Sequence, residues 1–143
     1  MKKIILMMTL LITFASAQDT MQKAVFDCSS GDMGFVHSRI WLIQESAKEF
    51  TKDKTPYDFV LTIHSGCTEI ADMTSDNGMV IKIQNRLKNL AYEHKVKIEV
   101  CEIALKNLGY EKEEILPYID VVPNSITRVI KLQNKGYALI PYN

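Results

Sequence analysis

Three cysteines and one histidine hold most of the chemistry open to this chain: Cys28, Cys67, Cys101 and His64. A thiol attacks as its thiolate, and a nearby imidazolium or a helix N-terminus favours that form. Cys67 sits in a Ser65-Gly66-Cys67-Thr68 loop just after His64, where a partly protonated imidazole would support a thiolate. Cys101 closes a β-prone run and precedes a helical one, so unsatisfied amides lie ahead of it. Glu102 works the other way, because a carboxylate beside the sulfur raises the thiol pKa unless its side chain points away.

These residues leave several readings open. The thiols act as a relay, or they are small hydrophobes, since free cysteine is among the most buried residue types. His64, Cys67, Cys28 and Cys101 could also form a zinc or copper site, although no Cys-x-x-Cys pair is present. A disulfide between Cys28 and either other cysteine is a further option, and an odd count leaves at least one thiol over. His37 and His94 read as solvated helix positions, and Glu111, Glu113 and Glu114 as a solvated face. A nucleophilic-serine elbow, a P-loop and a GxGxxG turn are absent. The Gly31-Asp32-Met33-Gly34 turn could offer amides to an anion, which is a weak signal by itself.

The elements that must position these groups follow from periodicity. Lys23 to Cys28 is a short β-prone run, and Val36, Ile40, Ile43, Ala47 and Phe50 line one face of a helix. Tyr57 to His64 reads as the second strand, stopped by Ser65-Gly66. After a polar loop with Asp76-Asn77-Gly78, a second amphipathic helix carries Val80, Ile83, Leu87, Leu90 and Ala91. In the third strand, Val96 to Cys101, Val96, Ile98 and Val100 alternate with Lys97 and Glu99. A short helix from Ile103 to Leu108 stops at Gly109, and Glu111 to Leu116 reads as another helical turn. Tyr118 to Val122 is the fourth strand, Pro123-Asn124-Ser125 starts the last helix, and Tyr137 to Ile140 is the fifth strand.

Strands alternating with helices of this length imply an α/β fold with a parallel sheet covered on both faces, because parallel neighbours need crossover connections. In such a sheet the reactive crevice lies beyond the carboxyl ends of the strands. Cys28 and Cys101 close strands and Cys67 follows one, so all three cysteines are expected at one rim.

Composition limits the partners. The chain has 143 residues, with 17 basic against 17 acidic groups and 47% hydrophobic residues, the profile of one globular domain. It lacks the concentrated basic face that a nucleic-acid binder needs, so no nucleic-acid partner is expected. Residues 1–17 read as a signal peptide: two lysines, an apolar run from Ile4 to Phe14, and Ala15-Ser16-Ala17 as the cleavage pattern. That run is about 16 Å long as a helix, too short for a hydrocarbon core of about 30 Å. The expectation is therefore a single domain over 18–143, exported to the periplasm and not membrane-bound after cleavage.

The C-terminal part resembles the DsrE/DsrF-like family of sulfur-relay proteins. The resemblance rests on Val100-Cys101, Leu108-Gly109, Leu116-Pro117, Val121-Val122-Pro123 and the Leu132-Gln133-Asn134-Lys135-Gly136-Tyr137-Ala138 ending. Strand one and helix one fit the same outline. The resemblance implies a three-layer α/β/α fold with a five-stranded parallel sheet, assembled as trimers or hexamers. It also implies that Cys101 carries sulfur as a persulfide, received from a donor protein and passed to an acceptor protein. The family cysteine is often followed by Asn-Asn-Thr, where this chain has Glu102-Ile103-Ala104. The expected function is an exported sulfur carrier or thiol relay accepting sulfane sulfur on Cys101, with Cys67 as resolving thiol and no cofactor. The alternative is a non-catalytic oligomeric module that binds a small ligand or metal.

Overall fold

A computed structural model describes residues 20–143. The expected signal peptide, 1–17, lies outside the described residues. Five strands, β1 (Gln22–Cys28), β2 (Tyr57–Ile63), β3 (Lys97–Cys101), β4 (Asp120–Val122) and β5 (Ala138–Tyr142), form one sheet in the order β4-β3-β2-β1-β5. Every neighbouring pair is parallel. The crossovers carry helices α1 (Met33–Lys52), α2 (Gly78–Tyr92), α3 (Glu102–Leu108) and α4 (Ser125–Gln133). The three-layer α/β/α architecture expected from the sequence is therefore the observed one.

Local chemistry sets the helix starts. Asp32 caps α1 by accepting the Phe35 N–H at 3.0 Å, Asn77 caps α2 by accepting that of Met79 at 3.0 Å, and Asn124 caps α4 by accepting that of Ile126 at 2.9 Å. Gly109 ends α3 with φ of 80°, a left-handed conformation that costs glycine little.

Two segments depart from the sequence reading. Ser65–Ala71, expected as loop, is a 3₁₀ turn: the Cys67 N–H donates to the His64 carbonyl at 3.1 Å while Cys67, Ile70 and Ala71 bury against the core. β4 is shorter than expected because Tyr118 and Ile119 still belong to a turn, in which the Ile119 N–H donates to the Leu116 carbonyl at 3.0 Å.

Register decides which side chains share a face, since successive residues of a strand point to opposite sides. Cys28 pairs with Ile63, and Ile63 with Val100, so these three lie on one face. That face meets α1 and α2 in a continuous apolar core built on Phe26, Leu61, Ile98, Ile40, Ile43 and Leu87. Asp27 pairs with Thr62, Thr62 with Glu99, and Cys101 follows Glu99 by two, so these lie on the other face. There α4 packs Val129 and Leu132 onto Val25 and Val60, a much smaller apolar patch. A fork of two hydrogen bonds pins α4 to β3: Arg128 Nε and Nη2 each donate to Glu99 at 2.7 Å.

Candidate functional site

Cys101 is both the last residue of β3 and the N-cap of α3, with Sγ at the rim of the α4 face. The Ser125 N–H, in the first turn of α4, donates to that sulfur at 3.4 Å. Two helix starts therefore converge on one thiol. Burial pushes its pKa up, but the Ser125 and Ala104 amides, the Ser125 hydroxyl and the Ile103 amide together outweigh burial and leave it lowered. The α3 amides act on the thiolate without forming a regular capping hydrogen bond.

Cys101 is only 5% exposed, yet it lines an open cavity of about 360 Å³ with His64, Ser65, Asn107 and Ser125. Ile103, Leu108 and Ile126 also line it and keep about half of their surface exposed. The thiol is thus screened from bulk water but open to a reactant that enters the cavity.

Glu102, the expected opponent of the thiolate, points elsewhere. Its carboxylate pairs with Lys106 at 3.1 Å and Lys112 at 3.4 Å, and these lysines hold it below the usual carboxylate range. It takes no part in the Cys101 cavity.

His64, just past the end of β2, has a polar partner at each ring nitrogen. Nδ1 lies 2.9 Å from Ser65 Oγ. Nε2 lies 3.2 Å from Asp27 Oδ1, near enough for charge attraction but off the line of a hydrogen bond. Thr62 Oγ1 donates to the same Asp27 oxygen at 2.6 Å. Asp27 raises the His64 pKa against the opposing effect of burial, and the Cys101 charge adds to the rise. Burial pushes Asp27 up, but His64 and Thr62 more than offset it and leave Asp27 below its ordinary value. The pair therefore favours imidazolium and carboxylate.

The other two cysteines do not join Cys101. Cys28 and Cys67 are bonded to each other, with Sγ–Sγ of 2.06 Å, on the opposite face, and both are fully buried. The Cys67 sulfur is engaged in this bond and has no thiol to resolve a disulfide or persulfide on Cys101. Cys101 is the one free cysteine. The zinc or copper set of His64, Cys67, Cys28 and Cys101 is likewise not assembled, because the sheet separates its members. Among the described residues no group of three or more His, Cys, Asp and Glu is placed to hold a metal ion. The three cysteines do gather at one end of the sheet, but on two faces of it.

The sequence reading missed Asp27, Ser65 and Ser125. A signal for the face existed: the alternation that buries Val96, Ile98 and Val100 puts Cys101 with Lys97 and Glu99 on the polar side. Asp27, a charge inside the apolar run Ala24 to Cys28, marked the same side of β1. No pattern announced Ser125, which comes to the sulfur only through the packing of α4.

The 3₁₀ turn that carries Ser65 lies close to the β1–α1 loop. A Cβ on Gly66 would stand 2.7 Å from the Gly31 backbone nitrogen and 2.8 Å from its Cα, so only glycine fits.

Comparison with known proteins adds to this picture. The profile of the DsrE/DsrF-like family matches residues 21–142. An uncharacterized protein of Aquifex aeolicus (strain VF5) is 37% identical over 149 residues, an alignment that takes in 99% of this chain and 64% of that relative. The chain thus spans somewhat less than two thirds of that curated protein. Among solved structures, a protein of unknown function from Methanobacterium thermoautotrophicum, MTH1491, superposes with a TM-score of 0.67 at 18% identity, covering 84% of this chain and 98% of its own. The ychN protein of E. coli gives 0.66 at 14% identity, covering 85% and 100%. At such identities the two structures speak for the fold.

Proposed function

The chain belongs to the DsrE/DsrF-like family, and from that premise we propose that it is a sulfur carrier whose Cys101 takes up sulfane sulfur as a persulfide and hands it to an acceptor thiol. The observation that carries this reading is the seat of Cys101: a free thiol with a lowered pKa, facing an open cavity under the amides of two helices. Those amides favour the anion that must attack, and they would equally favour the anionic end of a loaded persulfide.

The same reading extends to context. The buried Cys28–Cys67 disulfide supports an oxidising compartment and hence an exported, periplasmic protein. Exposed Ile103, Leu108 and Ile126 line the cavity and support a protein contact there, with further copies in a trimer or hexamer or with a sulfur donor or acceptor.

The test is mass spectrometry of the oxidised protein after treatment with polysulfide or a small persulfide. The expected result is a gain of one sulfur atom that maps to Cys101 and disappears in Cys101→Ser. A wild-type spectrum without that gain would overturn the proposal.

A further inference from the structure

We propose that Asp27, His64 and Ser65 form a proton relay that protonates the sulfur group leaving as Cys101 is loaded. The inference rests on the sulfur-carrier reading and gives a role to three residues which that reading does not use. Their order in space suggests it. Asp27 sits behind the imidazole at Nε2, Ser65 Oγ sits in front of it at Nδ1, and both His64 and Ser65 line the Cys101 cavity. Thr62 fixes the far end by donating to Asp27. Three elements supply the relay: β1 gives Asp27, the end of β2 gives His64, and the 3₁₀ turn gives Ser65.

The chemistry needs such a group. The Cys101 thiolate attacks the outer sulfur of a persulfide R–S–SH. The Cys101–S bond forms, the S–S bond of the donor breaks, and the products are Cys101–S–SH and R–S⁻. Ser65 gives its hydroxyl proton to R–S⁻, making R–SH, and receives the Nδ1 proton of the His64 imidazolium. Solvent later restores the proton to the imidazole. No electron pair leaves the sulfur atoms and no external oxidant or reductant is required. Asp27 keeps the imidazole charged while it waits, in line with the raised His64 pKa. The ionisable groups that bear on His64 are Asp27 from β1 and Cys101 from β3, while α3 and α4 bring only Ile103, Ala104, Asn107, Leu108, Asn124, Ser125 and Ile126 to the cavity.

The experiment compares two reactions of Cys101 in the full chain with its disulfide intact, for wild type, His64→Gln and Ser65→Ala. The first is loading from a low-molecular-weight alkyl persulfide across the pH range. The second is alkylation by iodoacetamide, in which iodide leaves without a proton. Wild-type loading should fall as pH rises past the His64 pKa. Both variants should load about tenfold more slowly near neutral pH, less than general acids often give because thiolates leave readily, and the gap to wild type should close as pH rises past the His64 pKa. Alkylation of Ser65→Ala should stay within about twofold of wild type, since it draws on no proton donor, whereas His64→Gln also removes the charge that faces Cys101 and should slow both reactions, loading the more.

The outcomes separate. A wild type that takes no sulfur defeats the carrier reading itself. A wild type that loads while both variants match it in rate and pH profile defeats the relay and leaves the carrier standing. Loading and alkylation falling together in Ser65→Ala also defeats the relay, because the residue would then act only on the thiol. Should His64→Gln fail to fold, Ser65→Ala, at an exposed position, decides by itself.

Discussion

Cys28 and Cys101 stand at the carboxyl ends of strands in the same sheet, and the sheet puts them to opposite uses. On the face of α1 and α2, Cys28 at the end of β1 meets Cys67 in the 3₁₀ turn after β2 and seals a bond inside a core of Phe26, Ile63, Ile70 and their neighbours. On the face of α4, Cys101 shares its side of the sheet with Asp27, Thr62 and Glu99, and beside it lies a cavity. The apolar face is stapled by a disulfide; the polar face holds ion pairs and a thiol with a lowered pKa. What separates the two sulfurs is parity along a strand, not distance along the chain.

That contrast can be broken from either side. Cys101→Ser should abolish sulfur uptake while changing folding stability by no more than about 1 kcal/mol, as read from persulfide mass spectra and urea denaturation. The converse change, Cys28→Ala with Cys67→Ala, should cost stability and spare chemistry. Loss of a link closing 39 residues lowers the unfolding free energy by about 4 kcal/mol in the chain-entropy account, while Cys101 should still take up sulfur. A double variant that folds as firmly as wild type, or that loses sulfur uptake while folded, would show that the faces are not independent.

A smaller effect lies in the pH dependence of the polar face. The raised His64 pKa contributes stability below about 6.5 that is lost as pH rises through the higher folded value. The lowered Asp27 pKa contributes stability above its ordinary 3.8 that is lost as pH falls through the lower folded value. Asp27→Asn should therefore destabilise most between those limits, by about 1 kcal/mol, and by less on either side. Denaturant midpoints across pH measure this, and a penalty that does not vary with pH would mean that the charge pair is not its source.

The smallest expected effect sharpens the assignment of Cys101. Glu102→Gln should change the alkylation rate of Cys101 by less than about twofold, since the carboxylate already points to Lys106 and Lys112. A larger acceleration would mean that Glu102 turns toward the sulfur in solution.

Much of the fold was legible because its signals are local. The apolar stripes of α1 and α2, the helix start at Pro123-Asn124-Ser125 and the break at Gly109 each announce themselves within a few residues. The 3₁₀ turn at Ser65–Ala71 did not, since its polar letters resemble a loop and only burial of Cys67 and Ile70 gives it shape. The site was half legible. Cys101 could be picked out by its place between strand and helix, but the partner of Cys67 depended on which strands adjoin and in what register. The alternation in β3 and the lone Asp27 carried the needed information. It became usable once β1, β2 and β3 were known to lie side by side.

The close fit of Gly66 over Gly31 bears on how the cavity can change shape. With no room for a methyl group between the two backbones, the turn bearing Ser65 is keyed to the loop that leaves β1. Any swing of the backbone that carries Ser65 would have to drag the end of β1 along, and β1 lies between β2 and β5. That backbone thus takes its coordinates from the middle of the sheet, so a visiting molecule meets a wall instead of a door on that side and must adapt along the opposite edge, where Leu108 and Ile126 stand.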